Sequence, residues 1–152
     1  MSLHILRPGL LTTIQDAGRP GYRRAGVSVG GPVDARSLRV ANLLVGNPPG
    51  AAALEITLLG PTLRFEADHL LALTGADLSI TLNGQPLPLN RAVAVRAGTE
   101  LTFGRPQAGC RAYLAVAGGL ACRWCWVAAL PTWRPASGGW RAGLCGPMMC
   151  CP

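Results

Sequence analysis

Between residues 9 and 34 the chain reads GLLTTIQDAGRPGYRRAGVSVGGPVD, setting Gln15, Asp16 and Arg19 in close succession at the end of a short apolar run. A carboxylate three residues before a guanidinium either staples a connector or presents charge to a ligand. The surrounding residues bear on both readings. Gly18, Gly21 and Gly26 follow, with Pro20 between the first two, and Gly30-Gly31-Pro32 makes a second turn before Asp34. Glycine at this density lets the backbone take positive φ and approach a partner closely. Polar groups set between a strand end and glycine turns have the form of a binding loop on a rigid scaffold. A salt-bridged connector, Asp16 to Arg19, is the plainer alternative.

The elements that must position this loop are legible in part. Leu3 to Arg7 reads as a strand turned by Pro8-Gly9, and Leu10 to Ile14, with Thr12 and Thr13, as a second. Asp34 is placed to cap a helix running to about Leu44, with Leu38, Ala41 and Val45 on one face and Gly46-Asn47-Pro48-Pro49 closing it. Asn42 falls off that apolar face, either solvated or turned back toward the loop. ALEITLLGP, from Ala53 to Pro61, alternates so that Glu55 and Thr57 share one face; a glutamate there reads first as a rim salt bridge. Leu63–Phe65 and His69–Thr74 follow as strands. TGAD (Thr74 to Asp77) reads as a turn in which Asp77 satisfies backbone donors or faces a ligand. LSITLNGQPLPL is a hairpin about a type I′ Asn83-Gly84 turn. Arg91–Val95, Glu100–Phe103 and the segment Gly109–Gly119, carrying Arg111 and Tyr113, complete the pattern. Short strands joined by Gly and Pro turns argue for a β-barrel or sandwich with one helix.

Composition narrows the function classes. The chain has 152 residues, 49% of them hydrophobic and 14% charged, which suits one domain with a packed core rather than a disordered chain. No apolar run has the length of a membrane span, and no signal peptide is evident, so a cytoplasmic location is expected. The net charge of +7 does not read as a nucleic-acid footprint: every basic residue is Arg, only Arg23 and Arg24 are adjacent, and aromatic residues for base stacking are not interleaved. His4 and His69 carry no metal-ligand spacing, and Cys110 reads as a small buried hydrophobe.

After Leu120 the character changes. All four Trp and five of the six Cys lie beyond it, and acidic residues stop. Cys122-x-x-Cys125 has zinc-ligand spacing, but Cys150-Cys151 cannot form the matching knuckle, and no His lies nearby. Single-codon residues dominate the stretch. Read back into DNA and shifted by one base, it permits a segment with glycine turns, acids and neither Cys nor Trp. Residues 121–152 are therefore expected to be a frameshift product rather than a domain, with residues 1–120 as the domain proper.

Taken together, GLLTTIQDAGRPGYRRAGV, GGPVD, ANLLVGNP, LEITLLGP, TGAD and GCRAYLAVAGG resemble the biotin-dependent carboxyltransferase family, over about Leu3 to Leu120. Its members include allophanate hydrolase subunit 2, the carboxyltransferase part of urea amidolyase, the KipI antagonist KipA and the C component of 5-oxoprolinase. The shifted-frame segment, with GSRST and GFGG, is similar to the family's continuation. The resemblance implies a cyclophilin-like β-barrel half of a longer protein. It also implies a partner of the allophanate hydrolase subunit 1 type (the B component of 5-oxoprolinase, or a KipI-like protein), and ATP used in the assembly, with the nucleotide held by this chain or its partner. The implied activity is ATP-dependent opening of 5-oxoproline to glutamate or a related amide hydrolysis. Alternatives are carboxyl transfer from carboxybiotin to urea, a KipA-type regulatory module, or an inactive truncated product.

Each chemistry holds an amide while negative charge develops on its oxygen. Gln15, Arg19 and the Gly30-Gly31 turn are the candidates for that oxygen, and Asp16, then Asp34, for the proton at nitrogen. Asn42, Asp77 and Arg111 match family motif positions as substrate-binding candidates. Loss of the family's second half is expected to expose a sheet edge after Val116 and to leave this chain alone inactive.

Overall fold

The computed structural model describes residues 2–120 and the backbone of 141–143. In chain order the elements are β1 (Ser2–Arg7), β2 (Leu11–Gln15), a 3₁₀ turn (Arg23–Ala25), α1 (Ala35–Leu44), β3 (Ala53–Thr57), β4 (Thr62–Phe65), β5 (His69–Asp77), β6 (Thr81–Leu82), β7 (Gln85–Pro86), β8 (Ala92–Val95), β9 (Glu100–Thr102), β10 (Ala108–Val116) and β11 (Arg141–Gly143). The tail expectations, Cys122-x-x-Cys125 included, fall outside the described residues apart from the backbone of β11.

Two sheets form. One runs β11-β1-β4-β9-β6-β7 and the other β2-β3-β10-β5-β8. Residue alternation assigns their faces. Leu54, Ile56, Leu71, Leu73, Leu114 and Val116 of the five-stranded sheet meet Leu3, Leu63, Phe65 and Leu101 of the six-stranded sheet in one buried cluster. On the opposite face of the five-stranded sheet, Ala53, Ala72, Tyr113 and Ala115 pack under Leu38 and Ala41 of α1 and Val45 just after it. The layers are therefore sheet, sheet, helix.

The expected barrel does not form. The sheets are open: among the described residues no ladder joins them, so β2 and β8 end one sheet while β7 and β11 end the other. Short strands between Gly and Pro turns suit open packed sheets as well as closed ones, and closure requires edge strands to find each other. Here β7 is two residues long and ends in Pro86, which removes a ladder donor where a barrel would have to continue.

The helix follows its sequence signals. Asp34 accepts from Arg36 N and Ser37 N at 3.0 Å each, and Leu38, Ala41 and Val45 are buried. The Asn83-Gly84 turn is left-handed at both residues (φ 48° and 79°), as a type I′ hairpin needs. TGAD is not a turn but the end of β5, which passes Gly75 at φ 85°. A Cβ there would lie 2.5 Å from the Arg111 carbonyl oxygen, so glycine lets β5 stay paired with β10 across an irregularity in register. Cys110 beside it is exposed rather than buried. Nor does the strand ending at Val116 form an edge: β10 is central, between β3 and β5.

Candidate functional site

The helix-facing side of the five-stranded sheet carries a polar row that sequence periodicity only half reveals. Register sets Thr13 of β2 opposite Glu55 of β3, Glu55 opposite Tyr113 of β10, and Tyr113 opposite Thr74 of β5. Glu55 is the hub. Its Oε1 accepts from Arg111 Nη1 at 2.9 Å. Its Oε2 accepts from the Tyr113 hydroxyl at 2.8 Å and from the Val33 backbone N–H at 2.9 Å. The Tyr113 oxygen in turn accepts from the Asp34 N–H at 2.7 Å. Burial, reinforced by the neighbouring Glu55 carboxylate, pushes the Tyr113 phenol well above its usual range, so it remains a donor.

These bonds fix where the glycine loop returns to the sheet. A buried carboxylate is tolerable only when paired and bonded, and the loop backbone supplies one of its donors. Glu55 is 4% exposed, whereas the Arg111 side chain is 29% exposed and also donates to Thr57 Oγ1 at 2.8 Å. The guanidinium thus reaches from a buried anchor toward solvent. At the other end of the loop, Asp16 Oδ1 accepts from Gly18 N at 2.8 Å and from Arg19 Nη1 at 3.0 Å. Arg19 N donates to Val29 O at 2.7 Å, closing the loop on itself. Gly18 is required there, since a Cβ would meet Val29 O at 2.6 Å. Gly31 lies against Gly18 and the Asp16 carbonyl, while Gln15 donates to Thr13 Oγ1 at 3.1 Å.

The structure therefore sets Gln15, Asp16, Arg19, Gly30, Gly31 and Asp34 along one loop, whose far end is tied to the sheet at Glu55, the partner of Arg111. Asp34 serves as the helix cap, and its hydrogen bonds from Ser37, side chain foremost, hold its carboxyl below the usual range. Asn42 and Asp77 stand elsewhere. Asn42, fully buried, donates to Ala51 O at 2.8 Å and accepts from Asn47, which also donates to Val116 O and accepts from Gly118 N. That amide network ties the helix end to β10. Asp77 accepts from Ser79 N at 2.9 Å in an exposed turn after β5.

Two residues central to the site were not singled out by sequence reasoning: Glu55, read as a rim salt bridge, and Tyr113. The available signal was a glutamate inside the run Ala53–Leu58, where a strand covered on both faces leaves no water for it.

Comparison with known proteins places the chain in a family. The carboxyltransferase domain, subdomain A and B, matches residues 25–143, and the chain belongs to that family. It is similar to the C component of 5-oxoprolinase from Escherichia coli (49% identity over 118 residues, 78% of this chain and 38% of that protein). It is also similar to urea amidolyase of Saccharomyces cerevisiae (44% over 120 residues, 78% of this chain and 6% of that protein). Among solved structures, that of TTHA0988 superposes with a TM-score of 0.86 at 35% identity, over 99% of this chain and 32% of that chain. The chain spans 38% or less of the length of the curated relatives it matches.

Proposed function

We propose that this domain is the amide-holding component of an ATP-dependent amide-processing assembly of the 5-oxoprolinase type, opening 5-oxoproline to glutamate with a partner of the allophanate hydrolase subunit 1 kind. The supporting observation is the loop from Gln15 to Asp34, which carries the Asp16–Arg19 pair among glycine turns and returns to the sheet at Glu55, the partner of Arg111, in a chain 49% identical to a 5-oxoprolinase component over their shared stretch. In this reading Arg19 and the Gly30-Gly31 backbone face the amide oxygen, where negative charge develops when the bond is attacked. Asp16 handles the proton at the amide nitrogen, and Arg111 orients the substrate from its anchor on Glu55.

Of the loop's backbone donors, Gly18 N, Arg19 N, Val33 N and Asp34 N are already bonded to Asp16, Val29, Glu55 and Tyr113, which favours the partner as the holder of ATP in the assembly. Carboxyl transfer to urea is the second reading, favoured by the 44% identity to urea amidolyase. The chain contains no Lys on which biotin could be carried, so carboxybiotin would come from elsewhere. Residues 121–152 are read as a frame-shifted continuation, which resequencing across the codon for Leu120 tests.

The functional test is a segment swap. Residues 1–120 replace the equivalent stretch in the full-length C component of E. coli 5-oxoprolinase, and in parallel in urea amidolyase. The proposal expects 5-oxoproline-dependent ATP hydrolysis from the first swap; activity only from the second favours urea carboxylation.

A further inference from the structure

We infer that Arg111 is the group by which this domain reads a carboxylate on its substrate, so that an amide carrying a carboxylate, as 5-oxoproline does, is taken in preference to a neutral one such as urea. The inference rests on the reading of the domain as an amide holder and adds the chemical class of the amide.

Register supplies the setting. Leu11 of β2, Thr57 of β3 and Arg111 of β10 stand opposite one another in a row. That row lies one pleat beyond Thr13, Glu55 and Tyr113, on the same helix-facing side of the sheet. α1 packs over Ala53, Tyr113 and Ala115, which leaves the row at the margin of what the helix covers. Leu11 is 49% exposed, and β10 is exposed from Ala108 to Cys110 before it enters the core at Ala112.

Within the row the guanidinium is committed on one side. Nη1 donates to Glu55 Oε1 at 2.9 Å and to Thr57 Oγ1 at 2.8 Å. Nε and Nη2 have no hydrogen-bond partner among the described residues. These two nitrogens form the side-on fork that matches a carboxylate with two parallel bonds. An arginine present solely to neutralise Glu55 would be expected to offer it that fork. Instead Glu55 receives Nη1, and its other oxygen is held by the Tyr113 hydroxyl and the Val33 N–H. Two tethers on Nη1 fix the plane of the guanidinium, so an anion meeting the fork does not have to order a free side chain.

The part of the substrate follows from the shared anchor. Arg111 and the Val33 N–H hold opposite oxygens of one carboxylate, which sets the guanidinium beside the returning end of the loop, just after the Gly30-Gly31 turn. A lactam acid offers that neighbourhood an amide oxygen, a carboxylate and aliphatic ring carbons for Leu11. Urea offers neither anion nor apolar surface.

The test is a cycle between Arg111 and the substrate carboxylate, run in the E. coli 5-oxoprolinase assembly whose C component carries residues 1–120 of this chain. KM for 5-oxoproline and the inhibition constant of its carboxamide, a neutral analogue, are measured with Arg111 and with Arg111→Lys, which keeps a cation for Glu55 and loses the fork. The inference expects the substitution to raise the KM at least about 10-fold and to leave the inhibition constant within about twofold. Equal changes in both mark a structural role and overturn the inference, as does no change in either. An inactive swap counts against the proposed function alone, and the Arg111 Nε–H resonance of the full 152-residue chain then decides. A saturable shift with 5-oxoproline, absent with the carboxamide and with acetate, upholds the fork. No shift, or the same shift with acetate, overturns it.

Discussion

Replacing Glu55 by Ala tests the hub directly. The change removes the acceptor for Arg111 Nη1 at 2.9 Å, for the Val33 N–H at 2.9 Å and for the Tyr113 hydroxyl at 2.8 Å. Breaking a buried pair by deleting one partner costs about 3–5 kcal/mol. Arg111 is partly exposed, so its orphaned charge recovers water, and the lower end applies. The Val33 N–H and the buried Tyr113 hydroxyl lose an acceptor, at roughly 1–3 kcal/mol for each group left unsatisfied, with relaxation of the loop offsetting part of that. The net expectation is about 3 kcal/mol, or roughly 10 °C in Tm for a domain of this size. Urea unfolding at constant pH measures it, with Arg111→Ala and the double variant completing a cycle. Glu55→Ala is expected to expose the amides of residues 16–33 to exchange before those of β10. A loss below about 1 kcal/mol, or additive single effects, would refute the hub, since contacting charges couple by roughly 0.5–3 kcal/mol.

Other expectations follow from the same geometry. Gly18 and Gly26 share φ 75°, but only Gly18 is crowded; Gly18→Ala should therefore cost at least about 1 kcal/mol more than Gly26→Ala in urea unfolding. Asn47→Ala strips donors from Asn42 and Val116 and the acceptor from Gly118 N, and is expected to cost about 2–3 kcal/mol by thermal melting. Asp34 has a folded pKa below its ordinary 3.8, so its contribution is present above that value and disappears as pH falls through the lowered folded value. Asp34→Asn should accordingly flatten that acid branch of a Tm–pH profile.

How far the sequence reaches is visible in particular residues. Local signals carried local structure: Asp34 as cap, the Asn83-Gly84 turn, and the buried face of Leu38, Ala41 and Val45 all follow from chemistry within a few positions. The Asp16–Arg19 pair was legible for the same reason, as the salt-bridged connector that three-residue spacing offers. Long-range register was not. Nothing local sets Glu55 beside Tyr113, 58 positions away, or places β10 in the middle of its sheet. The barrel expectation failed at that level, because strand spacing does not say whether two edges meet. TGAD misled because its glycine marks a register irregularity within a strand, a use of positive φ that looks the same in sequence as a turn.

The central claim is that the loop anchored on Glu55 holds the amide. Its most direct measurement is kcat for 5-oxoproline-dependent ATP hydrolysis by the swapped E. coli assembly, with and without Asp16→Ala and Arg19→Ala. Loss of an aimed donor or proton acceptor typically costs about 100-fold or more. The account predicts a fall of that order for each variant, with ATP affinity unchanged. Rates within twofold of the unsubstituted swap would contradict it.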